Sequence, residues 1–542
     1  MFIILFLASS MFIPAGRAQG NETVYKNKWA LLVGINSFDE GQLNRSTKLD
    51  LAARDFKKVL VSKAGFSEEG ILELTDAAAS KDAIIQASGN KWLGRLAGKE
   101  DLVVVFISTL CFPSTNGEVY LLPADLDLDN FYTTAIPFSE YLQTLKTRVG
   151  CKDMVVITQT IFSGAPQMVS GAKAEFGVYN VSTDESKLPK NMVLISSSKS
   201  DQPTWGTYFS DSLQAAVNAA DRTKTLEDIF KFASEGTIRS TIEECKGCKI
   251  QTPVFYGNNA TRSIRLLGAA REGSNTKPEA VRSFERVVEK LGQARAMLRY
   301  GKSQNALSLL ETIGESSRLP MVDYLEGQVF AKRHEWGKAA QSFENAYKNS
   351  AQSIYCSQLA NALIEANLKT EKPPEFYWHK AYKLDPHNID AILGISESEG
   401  NEKESINILT KALSDYPESA EVHDRLSFAF KKKGSMNQAL EHAHEAVILD
   451  SDSWTSFMNL GNLLMAAGNS NEAQAAFRQV LDLNPKSKEG YYMLARALEE
   501  TKDPEGAVLA LEQFVKLSSQ DDKRLDQARK KIEELRKTIS HN

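Results

Sequence analysis

Short apolar runs alternating with amphipathic stretches organise the first half of this chain. Trp29-Ala30-Leu31-Leu32-Val33-Gly34-Ile35-Asn36 is apolar without a polar side and closes on Gly and Asn, the pattern of a strand buried on both faces and followed by a loop. From Leu49 to Leu60 apolar residues recur at helical spacing, with acids and bases on the other face, which predicts an amphipathic helix. The same reading predicts strands over 71–74, 101–108, 154–158 and 192–196 and helices over 80–97, 137–148 and 207–219. Strands alternating with helices predict a mostly parallel α/β sheet flanked by helices. Chemistry in such a sheet collects outside the carboxyl ends of its strands, so the ends to inspect are those after Ile107 and Thr158.

Beyond Gly268 the pattern changes. Residues 268–278 are rich in Gly, Ser, Asn and Pro, as linkers are, and from Glu279 onward helical periodicity replaces strand signals. Ala439, Ala473 and Ala507 stand 34 residues apart, as do Gly434 and Gly468, and Leu426, Leu460 and Leu494. Earlier copies run through Ala306 and Leu310, through Gly327, Ala339, Phe343 and Ala346, and through Ala381, Leu384 and Pro386. The period and its small-residue positions resemble the tetratricopeptide repeat. Trp454 to Ser487 is the fullest copy, with Leu460-Gly461, Leu464, Gly468, Ala473, Phe477 and Pro485 in place. About six or seven repeats fit between residues 285 and 520, and a charged amphipathic helix within 521–542 is suited to cap them.

In the first half, a second resemblance rests on an ordered set of short motifs. These are Ala30 to Asn36, Leu51-Ala52-Ala53-Arg54-Asp55, Gly65-Phe66, Leu74-Thr75-Asp76, Asp101 to Phe106, and Gly117-Glu118-Val119-Tyr120-Leu121-Leu122-Pro123-Ala124-Asp125. Together they resemble the caspase-like (metacaspase) domain of cysteine peptidases. That resemblance implies a histidine base in Ser-Gly-His-Gly after one strand and a cysteine nucleophile in Asp-x-Cys-x-Ser-Gly after the next. Here the matching residues are Ser108-Thr109-Leu110-Cys111 and Gln159-Thr160-Ile161-Phe162-Ser163-Gly164. Leu110 stands at the histidine position, Ile161 at the nucleophile and Gln159 at the acid that helps form a pocket for basic side chains in some branches. The first histidine of the chain is His334, so the first half has no imidazole to act as a base. A thiol or hydroxyl nucleophile needs a base, a lowered pKa or a metal beside it, and neither aliphatic side chain accepts a proton. Cys111, one position on, reads as a small buried thiol. Ser163-Gly164 reads as a turn pair, and no lysine in the local sequence is placed to activate the serine.

The resulting domain expectation is a signal peptide over 1–18, a caspase-like α/β domain over 21–268, a linker over 269–284, a tetratricopeptide superhelix over 285–520 and a capping helix over 521–542. Phe2 to Ile13 is apolar but too short to span a bilayer, and Gly16-Arg17-Ala18 supplies a small-residue cleavage site. This predicts a secreted or periplasmic protein with no stable membrane span. At 542 residues, with 42% hydrophobic and 25% charged residues, the chain has ordinary globular composition. A net charge of -5 gives no electrostatic reason to expect nucleic acid. Five cysteines are too few for a disulfide-built scaffold. Cys245 and Cys248 are the one close pair, expected as a local disulfide after export. No second ligand pair accompanies them to make a zinc site. Cys111 and Cys151 are expected at opposite sheet edges, on the order of 15 Å apart and unbonded.

Repeats of this kind stack into an array with an extended concave surface that takes a peptide or a partner helix. Phe428, Asn462, Tyr492 and Arg496 are the first-helix residues expected there; the plainer reading is a solvated helix face. Three functions compete. The first is an exported, catalytically silent caspase-like protein that binds partners through its repeats, an active caspase-like homologue being one candidate partner. The second is a working cysteine endopeptidase with a non-standard dyad, and the third a purely structural repeat scaffold. No cofactor and no metal is expected in any of them. The first is favoured, because a fold does not carry its function along once the site residues are gone.

Overall fold

A computed structural model of the chain describes residues 24–44, 47–114, 118–162, 181–245, 247–270, 277–398, 402–520 and 522–541. The expected signal segment and the Ser163-Gly164 turn lie outside the described residues. The strands are β1 (Val24–Tyr25), β2 (Lys28–Gly34), β3 (Ile71–Thr75), β4 (Leu102–Pro113), β5 (Val119–Leu121), β6 (Ile136–Pro137), β7 (Asp153–Phe162), β8 (Met192–Ser196), β9 (Val254–Tyr256) and β10 (Ala269–Ala270). Between them lie helices α1 (Leu49–Ser62), α2 (Lys81–Ser88), α3 (Leu93–Leu96), α4 (Phe131–Thr134), α5 (Phe138–Arg148), α6 (Tyr208–Ala219), α7 (Leu226–Glu244) and α8 (Asn259–Arg262).

The main sheet has the order β3-β2-β4-β7-β8-β9. Its first five strands run parallel, and β9 returns antiparallel on β8. Val103, Val105 and Ile107 of β4 join one core and Leu102, Val104 and Phe106 the other. This is why the strand reads as continuously apolar: a parallel strand covered by helices on both sides buries every position. The helix expected over 80–97 is split into α2 and α3, and Gly89 caps the end of α2.

Two strand ends differ from expectation. β4 does not stop at Ile107 but runs to Pro113, and β7 runs past Thr158 to Phe162. The polar residues that suggested ends are absorbed inside the sheet. Thr109 Oγ1 donates to Leu122 O at 2.7 Å, and the end of β4 gains an antiparallel partner in β5, with Cys111 opposite Leu121. The longer strand also corrects the cysteine spacing. Leu102 pairs with Asp153 and Cys111 with Phe162, so at strand rise Cys111 and Cys151 lie at least about 30 Å apart. Neither is in a disulfide.

The second half is helical: α9 (Glu279–Arg299), α10 (Ser303–Glu311), α11 (Pro320–Lys332), α12 (Trp336–Asn349), α13 (Ser353–Glu365), α14 (Pro374–Leu384), α15 (Ile389–Ser398), α16 (Glu402–Ala412), α17 (Ala420–Lys432), α18 (Met436–Leu449), α19 (Trp454–Ala466), α20 (Ser470–Leu483), α21 (Lys488–Glu500), α22 (Pro504–Leu517) and α23 (Leu525–His541). Successive helices pair from α9/α10 to α21/α22, and α23 closes the stack on α22. None of the described helices is long and apolar enough to cross a membrane. Small residues set the pairing distance. A Cβ on Gly461 of α19 would lie 2.5 Å from the Phe477 ring of α20, and one on Gly327 of α11 equally close to Phe343 of α12. Between the paired helices the chain turns through left-handed backbone at Gly434 and Gly468, and at Lys502 where the third copy lacks glycine.

The connector expected over 269–284 is shorter, and the helix starts at Glu279, where the helical periodicity of the sequence begins. β10 pairs Ala269–Ala270 with β1, and α9 opens at Glu279. Val281, Phe284, Val287, Val288 and Leu291 of α9 belong to the same core as Trp29, Trp92 and Leu93 of the first half. Gly292 comes so close to Ala78 that a Cβ there would meet the Ala78 Cβ at 2.7 Å. Polar pairs continue the seam. Arg295 Nη1 and Arg299 Nε donate to Asp39 at 3.0 and 2.7 Å, Trp92 Nε1 to Glu285 at 2.6 Å, Thr133 Oγ1 to Asp385 at 2.7 Å and Asn130 Nδ2 to Asp390 at 3.2 Å. The two halves share one hydrophobic core instead of being joined by a free tether.

Candidate functional site

The carboxyl end of the sheet is where the sequence directs attention. β4 and β7 stay paired through it, with Ser108 beside Gln159, Thr109 beside Thr160 and Leu110 beside Ile161. Leu110 is buried and Ile161 half-buried against the same core. Gln159 is fully buried and spans to the start of α6: its Oε1 accepts from Ser210 N at 2.8 Å and its Nε2 donates to Gly206 O at 3.4 Å. An amide suits this place because it both donates and accepts. Burial pushes the Cys111 thiol up to about 12, and a hydrogen bond with Thr160 offsets this only in part. A thiol so far above neutral pH is not a nucleophile. Cys245 and Cys248 are joined by a disulfide just beyond α7.

A cavity of about 730 Å³ lies at the junction of the two halves. Several of its carboxylates accept from protein donors. Asp82 accepts from Gln352 and Tyr355, Asp125 from Lys81 N at 2.7 Å, Asp127 from the Asp129 and Asn130 amides, and Asp385 from Thr133. Lys81 Nζ donates to Thr133 O and Ala135 O at 2.6 and 2.8 Å, and burial lowers its pKa. Asp82 and Asp385 thereby link the two halves, whereas Lys81 and Asp127 bind within the first half. Among the described residues no group of three or more His, Cys, Asp or Glu could hold a metal ion.

The repeat half offers a different kind of site. A groove of about 710 Å³ runs along the first helices of three successive pairs, α15, α17 and α19, lined by Glu397, Glu421, Asp424, Arg425, Phe428 and Asp450 among others. Phe428 is 47% exposed, a large apolar ring left open in an acidic wall. One face of that ring already carries the Lys432 ammonium, 4.8 Å from its centre, an arrangement in which the ring's negative face attracts a cation. Asp424 is held by Asn459 at 3.0 Å and Arg425 by Glu397 and Glu421. Glu421 and Asp450 point to solvent. Four carboxylates therefore face one guanidinium along the groove, with the Lys432 ammonium over the Phe428 ring.

The four expected contact residues fall out unequally. Phe428 lines the groove, Asn462 is half-buried on the next first helix and Arg496 is exposed on the one after. Tyr492 is corrected: its ring packs 5.0 Å from Phe514 and is covered by the Arg524 guanidinium at 4.9 Å. The segment leading into α23 occupies this position in the last pair, because a stack that ends must cover its final apolar face. Asp450, between helices, was missed by a reading confined to first-helix positions. Glu421 does lie on a first helix, but no periodic signal distinguished it.

Residues 458–522 match the tetratricopeptide repeat model. Among solved structures the chain is similar to YrrB, described as a tetratricopeptide repeat protein with an unusual peptide-binding site, at 23% identity over 35% of this chain and 99% of that one, with a TM-score of 0.29. A tetratricopeptide repeat protein from Parabacteroides merdae matches at 14% identity over 46% of this chain and 99% of that one, with a TM-score of 0.37. PilF of Pseudomonas aeruginosa matches at 16% identity over 36% and 91%, with a TM-score of 0.32. No curated protein matches. The resemblance of the first half to caspase-like domains rests on its own motifs and on none of these matches. Residues 458–522 carry tetratricopeptide repeats, and the same pairing of helices runs through the helical half of the chain.

Proposed function

We propose that this is a binding scaffold whose repeat groove takes a basic segment of a partner protein, and that its first half is a caspase-like frame without catalytic chemistry. The observation that carries the binding reading is Phe428, open to solvent between the carboxylates of Glu421, Asp424 and Asp450. An exposed aromatic in a groove is an anchor for an apolar side chain, and the surrounding acids favour Lys and Arg beside that anchor. The silent-frame reading is supported by Leu110 and Ile161 on one rung, by the high pKa of Cys111 and by the absence of histidine before His334. Export is part of this proposal through residues 1–18, and amino-terminal sequencing of the mature protein tests it: cleavage after Ala18 supports export, an intact Met1 opposes it.

The binding reading is tested by fluorescence anisotropy of the full chain with two labelled amphipathic peptides, one of Lys and Leu and one of Glu and Leu. Saturable binding of the Lys peptide alone, weakened roughly tenfold or more by Phe428→Ala, is the expected result. Equal binding of both peptides, or an unchanged affinity in the variant, overturns it.

A further inference from the structure

α7 has two very different sides. One packs on the α/β core through Leu226, Ile229, Ala233, Thr237 and Thr241, and Gly236 leaves room for α6, since a Cβ there would meet Ser212 Oγ at 3.0 Å. The other side faces solvent and is not the polar surface an outer helix ordinarily shows. Phe232 is 53% and Ile242 60% exposed. Ile238 lies half-buried between them, in a hollow of about 300 Å³ shared with Glu235, Arg239, Ile242 and Glu243. Two large apolar side chains at the ends of one exposed helix face, with charges between, form a small interaction surface.

The charges identify what covers it. Glu235 and Arg239 stand at equal distances on either side of Thr237, as do Phe232 and Ile242, and Lys231 and Glu243. Each pair is complementary: acid with base, aromatic with aliphatic, base with acid. A helix with this arrangement is its own partner when a second copy lies antiparallel across it, because a twofold axis at Thr237 brings each residue against its mate and makes every contact twice. Glu235 of one copy then meets Arg239 of the other, Lys231 meets Glu243, and Phe232 meets Ile242. Other registers are penalised. A slip of one turn in one direction sets Arg239 on Arg239 and Glu235 on Glu243; in the other it sets Glu235 on Glu235 and Lys231 on Arg239. Like charges in contact suppress both. Within the chain Lys231 also reaches Glu227 at 3.3 Å, an exposed i,i+4 pair of small worth that does not compete strongly.

We infer that the exposed face of α7 is an isologous interface through which two copies of this chain associate by antiparallel helix pairing. This surface is separate from the repeat groove, so the inference stands independently of the binding reading above. A helix of this length is about 28 Å long and 10 Å wide, which places the contact below the size of permanent dimers and in the weak, concentration-dependent class. Dimerisation therefore doubles the number of grooves when the protein is locally concentrated, and the gain in avidity on a partner with several basic segments follows from effective concentration alone.

Sedimentation equilibrium of the full chain tests this by charge exchange. The unmodified protein is expected to self-associate reversibly to a dimer, more weakly at high salt because the four ion pairs are exposed. Arg239→Glu and Glu235→Arg, each alone, are expected to weaken the dimer at least roughly tenfold, and the two together to restore it. The substituted side chains are exposed, and circular dichroism with unfolding temperature checks that each variant keeps its fold. Dimer formation left unchanged by both single substitutions, failure of the double exchange to restore it, or a monomer at all accessible concentrations overturns the inference.

Discussion

Leu110 and Ile161 face each other across one rung of the two central strands, on the line where β4 and β7 continue as sheet beyond the expected strand ends. Two aliphatic side chains on adjacent parallel strands offer neither a proton acceptor nor an attacking atom. The unmodified chain is expected to leave peptides with Arg, Lys or Asp before the cleavable bond intact in a chromatographic assay. Turnover that persists after inhibitors of contaminating proteases are added contradicts this.

The neighbouring Gln159 joins β7 to the start of α6. Its amide is the hydrogen-bond partner of Ser210 N and Gly206 O at the start of α6. Gln159→Ala leaves a buried amide donor unsatisfied and should lower stability by about 1–3 kcal/mol. Urea unfolding measures it, and a loss below about 0.5 kcal/mol would mean that water replaces the glutamine. A change to Asp at the same place, the acid the caspase-like resemblance implies, is also expected to destabilise, because the shorter side chain brings a charge into a buried site.

Acid should strengthen the seam between the halves through Asp390. Its Oδ2 accepts from Asn130, Ser357 and Gln358, yet burial, with repulsion from Asp127, raises its carboxyl to about 6. An unfolded aspartate titrates near ~4, so the folded state keeps a proton that the unfolded state releases. The contribution is fully present below about pH 4 and is lost as pH rises through 6. The unfolding free energy of the unmodified protein minus that of Asp390→Asn should fall by on the order of 2 kcal/mol between about pH 4 and 7. A difference that stays flat or rises contradicts the assignment.

Within the repeats, glycine acts in two opposite ways. Gly461 has no space for a Cβ beneath Phe477, and Gly461→Ala should destabilise by about 1–3 kcal/mol through overpacking. Lys502 holds left-handed backbone, φ 62°, at the turn where Gly434 and Gly468 stand in the preceding copies. Lys502→Gly should stabilise by about 0.5–1 kcal/mol by removing the Cβ clash of that conformation. Thermal unfolding of the two variants should move in opposite directions; movement in the same direction would contradict the packing account.

These particulars show which features of the structure could be read in advance. Runs such as Leu102 to Phe106 identify parallel strands because every position is buried, and the spacing from Gly434 to Gly468 identifies the repeat turn because glycine relieves left-handed backbone. Polar residues misled at Ser108-Thr109 and Gln159-Thr160, where buried hydroxyls and an amide continue a strand. The linker boundary at 284 falls too late, because the helical periodicity that begins at Glu279 already marks the core-forming helix. The seam was invisible, since Asn130 with Asp390 and Arg295 with Asp39 are pairings that leave no local pattern. α7 was not assigned from sequence, because Phe232 and Ile242 on its outer face blur the separation of apolar and polar sides by which helices are recognised.

The central claim is that the groove selects its partner by charge around an aromatic anchor. Exchanging that charge is the direct test. Anisotropy titration of the full chain carrying Glu421→Lys and Asp450→Lys together, with the same Lys and Glu peptides, should show the preference inverted, with the Glu peptide now bound more tightly by roughly tenfold. A variant that still prefers the Lys peptide to the same degree would contradict the claim.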